Sequence, residues 1–284
     1  MDRIKKVAVI GSGTMGNGIV HVSALSGFDT IMMDIQQKAL DQALLTINNN
    51  MDRQINKNII TEQSKQQAID RIQATIDYAN IIDCDIVIES VFEKKEIKQS
   101  VIEQVSKLVT ADCIIASNTS SVPLTEIASY AKRPERVIGM HFFNPVPVME
   151  LVEIIKALQT NAETYEVVKE LAVKMGKTPI RVNDSAGFVT SRLIMMLINE
   201  AICALHEGVA SADDIDVGMK LAMNHPMGPL ALADFIGLDV CLGVLDTMYT
   251  SFGDPKYRPS PLLKKMVSAG YLGRKTKKGF YEYE

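Results

Sequence analysis

The chain is 284 residues long, which at about 150 residues per domain predicts roughly two domains. Hydrophobic residues make up 47% and charged residues 23%, a globular balance that excludes intrinsic disorder, collagen-like repeats and a coiled-coil rod. A net charge of -4, shared evenly between the two halves, argues against a nucleic-acid or anionic-membrane binder. The cysteines, Cys84, Cys113, Cys203 and Cys241, form no C-x-x-C pair and face no histidine at zinc-finger spacing, so neither a disulfide scaffold nor a metal site is expected.

From residue 4 to about 182, apolar strand-like runs alternate with helix-period segments, the pattern of βαβ units in a mostly parallel sheet. The spacing predicts strands over 4–10, 29–33, 85–89, 112–116, 137–142, 150–155 and 178–182. The predicted helices are 14–26, 36–57, 62–70, 94–109, 123–131 and 161–175, with Gly27 and Gly176 at helix C-termini. Residues 187–250 then show long helical periodicity and no alternating strand, which predicts an all-helical second domain. The expected division is 1–184 and 185–284. Residues 253–279 read as a tail packed by turns, and the methionines Met195, Met196, Met219, Met223 and Met227 read mostly as core. The N-terminus runs straight into an apolar strand with no targeting segment expected, and the longest apolar stretches are interrupted by Glu200, Pro229, Asp234 and Asp239. A cytoplasmic protein is the expectation.

Gly11-Ser12-Gly13-Thr14-Met15-Gly16 fits G-x-G-x-x-G between a predicted strand and a predicted helix. In that context the first glycine permits a tight turn, the second admits a pyrophosphate, and the third lets helix and strand pack closely. Asp34 closes the next strand about 20 residues on, where a carboxylate accepts from ribose hydroxyls and repels a 2′-phosphate, favouring NAD. The first domain is therefore read as a Rossmann-type dinucleotide-binding domain, and the fold class as α/β followed by a helical C-terminal domain.

Ligands of such sheets bind beyond the carboxyl ends of the strands. Polar residues predicted there are Ser117, Asn118, Thr119 and Ser120, then His141 and Asn144, and Glu153 in the next run. Hydride transfer from an alcohol needs a base, and His141 is the one histidine of four expected at a strand end facing this crevice. Glu153, flanked by Leu151, Val152, Ile154 and Ile155, would be costly unpaired; pairing with His141 would fix its tautomer. A Glu pointing to water and a His satisfied by a turn is an equally open reading of the spacing.

At these residues the sequence resembles the L-3-hydroxyacyl-CoA dehydrogenases, and among them the bacterial 3-hydroxybutyryl-CoA dehydrogenases, over essentially the whole chain. The resemblance is carried by VAVIGSGTMGNGIV (7–20), DIVIESVFEKKEIK (85–98), IIASNTSSVPLTEIA (114–128), GMHFFNPVPVMELVEII (139–155), NDSAGFVTSRL (183–193), HPMGPLALADFIGLD (225–239) and GRKTKKGFYEY (273–283). It implies His141 as general base, Glu153 as the residue that orients it, and Ser120 as a contact to the substrate oxygen. It implies further that Asn118, Glu93 and Lys98 line the nicotinamide ribose and neighbouring cofactor groups. Arg53 and Lys57, four apart on the helix predicted over 36–57, resemble positions that meet the phosphates of coenzyme A, although such a pair also suits a solvated face. Family members dimerise through the helical domain. The sequence departs from the pattern at Ser191, where many members carry Asn. The implied activity is NAD-dependent interconversion of (S)-3-hydroxybutyryl-CoA and acetoacetyl-CoA. The alternatives are an L-gulonate 3-dehydrogenase-like enzyme acting on a free hydroxy acid and a non-catalytic, crystallin-like NAD-binding protein.

Overall fold

The computed structural model describes residues 3–284, which fall into two compact units, one ending at Asp184 and the other spanning Ser185–Glu284. The first is built on an eight-stranded sheet: β1 (Lys6–Ile10), β2 (Asp29–Met33), β3 (Ile72–Thr75), β4 (Ile86–Glu89), β5 (Ile114–Ser117), β6 (Val137–Phe142), β7 (Leu151–Lys156) and β8 (Thr178–Asn183). Their order across the sheet is β3-β2-β1-β4-β5-β6-β7-β8. All neighbours are parallel except β6 and β7. The chain winds outward from β1 in one direction and from β4 in the other, so a crevice opens at the carboxyl ends of these two strands.

Strands β1 and β4 are near-continuous apolar runs because helices cover both faces of the sheet; Val7, Val9, Ile86 and Ile88 have no exposed surface. Each such side chain contributes roughly 1.5–3 kcal/mol of transfer free energy. Helices α1 (Thr14–Leu25), α2 (Gln37–Asn56), α3 (Glu62–Asp70), α4 (Lys95–Leu108), α5 (Leu124–Ser129) and α6 (Ala162–Lys174) provide that cover. Local chemistry sets several starts: Thr61 accepts from the Ser64 N–H at the head of α3, and Asn161 accepts from the Thr164 N–H at the head of α6.

Two expectations need correction. Strand β3 falls in a stretch read as having no element, because it is a short, half-buried edge strand whose pairing with β2 comes from the backbone rather than an apolar pattern. Helix α2, read as reaching residue 57, ends at Asn56, with Lys57 as its C-cap and the Lys57 N–H still donating to the Arg53 carbonyl oxygen at 3.2 Å.

The second unit is helical: α7 (Thr190–His206), α8 (Ala212–Ala222), α9 (Pro229–Ile236), α10 (Leu238–Phe252) and α11 (Pro261–Ser268). Helix α11 lies inside the stretch read as turns; Pro261 at its first turn starts it and Leu263 buries it. The core of this unit gathers Met195, Ile198, Ile202, Leu230, Leu245 and Met248. Of the methionines expected as core, Met195 is buried and Met196 is half-buried against the same core; Met219 and Met227 are half-buried, and Met223, at the end of α8, which buries few residues, is exposed. Among the described residues no helix is long and apolar enough to cross a membrane.

Candidate active site

Strands β6 and β7 are antiparallel, and their register sets His141 directly opposite Glu153. Glu153 thus reaches the crevice from the first half of its strand, whereas β1, β4, β5 and β6 reach it with their carboxyl ends. The His141 Nδ1 and Glu153 Oε2 are 2.8 Å apart; the carboxylate is fully buried and the imidazole nearly so. With Nδ1–H donating to the carboxylate, the proton-accepting lone pair lies on Nε2. The Phe143 ring stands 4.6 Å from the imidazole, centroid to centroid, and limits its tilt.

The neighbouring strand ends are tied to this pair. Asn118 follows β5; its Oδ1 accepts from the Phe142 N–H at 2.9 Å and its Nδ2 donates to the Ser90 hydroxyl at 3.2 Å, so it bridges the ends of β6 and β4. The loop beyond Asn118 closes on Glu93. Its Oε1 accepts from the Thr119 hydroxyl at 2.5 Å, the N–H groups of Ser120 and Ser121 at 2.8 Å each, and the Ser121 hydroxyl at 3.0 Å. Burial by itself would raise the Glu93 carboxyl. The Lys98 charge and these hydrogen bonds outweigh it and hold the pKa at about 2. Ser120 is exposed, at a fixed point of this loop.

Lys98 departs from the expectation that it lines a cofactor pocket, because it has no exposed surface. Its ammonium lies 2.8 Å from Glu89 Oε1 and 3.0 Å from Glu93 Oε2, and so reaches the crevice only through Glu93. Glu89 is itself buried, accepting from the Val91 N–H at 2.8 Å and the Ser117 hydroxyl at 2.6 Å. Sequence reasoning missed Glu89. The available signal was a carboxylate closing the apolar run Ile86–Ile88 with a lysine one strand-to-helix turn later.

Across the crevice, the glycine loop explains its own composition. Gly11 has φ +97°, and a Cβ there would stand 2.5 Å from the Ser90 carbonyl oxygen; at Gly16 a Cβ would stand 1.8 Å from the Gly11 carbonyl oxygen. Both must be glycine for the protein's own packing. At Gly13 a Cβ would meet nothing within 4 Å, so glycine there answers to the approach of a ligand. Gly13 also heads α1 with no side-chain cap, leaving the amides of the first turn, Thr14 and Met15 among them, disposed toward an anion. These residues fit a dinucleotide phosphate.

Residues 6–185 match the family model described as 3-hydroxyacyl-CoA dehydrogenase, NAD binding domain, and residues 187–283 match that of the 3-hydroxyacyl-CoA dehydrogenase C-terminal domain. The chain belongs to the 3-hydroxyacyl-CoA dehydrogenase family. It is 48% identical over 280 residues to a 3-hydroxybutyryl-CoA dehydrogenase of Bradyrhizobium diazoefficiens, covering 99% of this chain and 96% of that one. To a 3-hydroxybutyryl-CoA dehydrogenase of Clostridioides difficile it is 47% identical, with 98% and 99% covered. The crystal structure of (S)-3-hydroxybutyryl-CoA dehydrogenase from Ralstonia eutropha superposes with a TM-score of 0.98 at 48% identity, covering 99% of each chain. The chain is accordingly an NAD-dependent oxidoreductase of this family.

The other expected site residues of this 3-hydroxyacyl-CoA dehydrogenase are distributed over both units. Asp34 follows β2; its Oδ2 accepts from the Ser12 N–H at 2.8 Å and hydroxyl at 2.7 Å, and its Oδ1 from the Gln36 N–H at 3.1 Å, so it also stiffens the glycine loop. A cavity of about 390 Å³ runs between α1 and α2, bordered by Ser12, Gly13, Thr46, Asn50 and Asn144–Pro147. Arg53 does not border the cavity; it is exposed on the next turn of α2, 3.4 Å from the Asn50 side chain, and Lys57 is exposed after it. Ser191 is half-buried in the first turn of α7, within the helical unit.

Proposed function

We propose that the chain interconverts (S)-3-hydroxybutyryl-CoA and acetoacetyl-CoA, the reading carried by the His141–Glu153 hydrogen bond of 2.8 Å at the mouth of the crevice. His141 Nε2 takes the proton of the substrate 3-hydroxyl, and Glu153 holds the ring in that tautomer and offsets the imidazolium charge. When bound, NAD would supply the hydride acceptor for C3. In the reverse direction His141 returns the proton to the forming alkoxide. Ser120, held by Glu93 through its N–H, contacts the substrate oxygen. Asn118 and Glu93 border the nicotinamide ribose, with Lys98 acting through Glu93. Asp34 takes the adenosine ribose, and Gly11 to Gly16 the pyrophosphate.

The coenzyme A portion follows the cavity from Asn144 past Asn50, with Arg53 and Lys57 at its phosphate end. Ser191 is proposed as a further substrate contact, made with a side chain shorter than the Asn of the family pattern. The helical unit is proposed to form a homodimer, which the exposed Leu193, Val217, Leu221 and Met223 support. The substrate relatives named above are 3-hydroxybutyryl-CoA dehydrogenases, which favours the four-carbon acyl group.

The test is NADH oxidation followed by absorbance with acetoacetyl-CoA and, separately, with free acetoacetate. Turnover that requires the coenzyme A ester supports the reading, and turnover of the free acid alone overturns it. Sedimentation of the full chain tests the dimer: a monomer at micromolar concentration contradicts it.

A further inference from the structure

The connection between β6 and β7, residues 143–150, joins the strands that carry His141 and Glu153 and itself bears Asn144. It is irregular backbone, and its position is set from two sides. On one side is α1, where a Cβ on Gly18 would stand 2.8 Å from the Val146 Cβ. On the other is Lys177. Gly176, with φ +69°, turns the chain off the end of α6 and delivers Lys177 just before β8. The lysine is 8% exposed, and its ammonium donates to the carbonyl oxygens of Val146 at 2.6 Å and Met149 at 2.8 Å.

A buried ammonium loses hydration worth several kcal/mol unless strong acceptors replace it, so these two carbonyls and the lysine fix one another. Burial lowers the Lys177 pKa, and the Glu150 charge opposes that shift. His21, one turn beyond Gly18, is kept below its ordinary range by burial; its hydrogen bond to Gln54 opposes this and the Lys177 charge adds to it.

We propose that Lys177 is a positioning residue for the reaction: by holding the Val146 and Met149 carbonyls it fixes the 143–150 connection, and through it Asn144 and the approach of His141 and Glu153 to substrate. The inference rests on the reading of His141 as the base. Apolar packing alone could hold the loop, since Val146 is 2% exposed, so the decisive comparison keeps the packing and removes only the donors.

Lys177→Met does that, and Lys177→Arg restores charge and N–H donors. Misplacement of a reacting group by about 1 Å costs roughly 100-fold in rate. The expected result for Lys177→Met is a fall in kcat with acetoacetyl-CoA of about 10- to 100-fold, while the NADH Kd from nucleotide fluorescence stays within about twofold. Lys177→Arg should regain most of the kcat. Lys177→Leu, which likewise removes the donors, is read in the same way should the Met variant not fold. A folded Lys177→Met or Lys177→Leu protein with wild-type kcat overturns the proposal. So does a loss that Lys177→Arg does not reduce, or one shared equally by NADH binding. Wild type and His141→Gln are measured alongside. An inactive wild type would fail the functional reading, whereas normal Lys177 variants beside an impaired His141→Gln would fail only this inference.

Discussion

The crevice is flanked by two charge networks built on different supports. The His141–Glu153 pair stands on adjacent strands and is aligned by sheet register. The Glu89–Lys98–Glu93 network gathers a loop: five hydrogen-bond donors from Thr119 to Val122 and one buried lysine converge on Glu93. On the proposed function the first arrangement moves a proton and the second holds a surface in place. Damage to the first should therefore appear in kcat with little loss of stability, and damage to the second in stability first.

The largest separation between the two comes from His141→Gln. Its kcat is expected to fall by about 10² to 10⁴, the range of a general base, while the NADH Kd is unchanged. Steady-state kinetics and fluorescence titration check both.

Lys98→Met strips the opposite network. It leaves Glu89 buried without its ammonium, and removing one member of a buried pair costs about 3–5 kcal/mol. Chemical denaturation should show that loss, and a change below about 1 kcal/mol would mean that Glu89 and Glu93 are held by their other donors.

Acid sharpens the comparison further. The folded-state pKa of Glu93 lies near 2, below the ordinary 4.5, so its contribution is fully present above pH about 5 and is lost as pH falls toward 2. Wild-type melting temperature should decline over that window more steeply than that of Glu93→Gln. Parallel declines would detach Glu93 from acid stability.

The smallest effect belongs to the exposed end of α2. Arg53→Ala with Lys57→Ala should raise KM for acetoacetyl-CoA a few-fold at low salt, and the difference should shrink as salt rises, because exposed charges are screened over about 10 Å at 0.1 M. A KM that does not move at low salt returns both residues to a solvated face.

The same contrast explains what the sequence made legible. Periodicity and capping residues locate α1 to α6 and seven of the eight strands, and mark the region of α7 to α10 as helical without dividing it, because burying an apolar face requires a recurring pattern. Strand β3 buries too little to carry one, and α11 is short and set among Pro, Gly and Lys. The glycine loop and Asp34 could be read because their spacing is local. The β6/β7 register that opposes His141 to Glu153 could not be read from spacing, nor could the burial of Lys98, since both depend on how distant strands meet. Lys177 left no local signature at all: its acceptors are main-chain carbonyls about 30 residues away in sequence, chosen by the fold rather than by residue type.

The most direct test of the central claim is a double-mutant cycle on kcat for acetoacetyl-CoA reduction with His141→Gln, Glu153→Gln and the two together. If Glu153 acts only by holding and charging His141, the double variant should be about as slow as His141→Gln alone. Losses that multiply, or a Glu153→Gln enzyme with wild-type kcat, would show that the two side chains do not work as a unit.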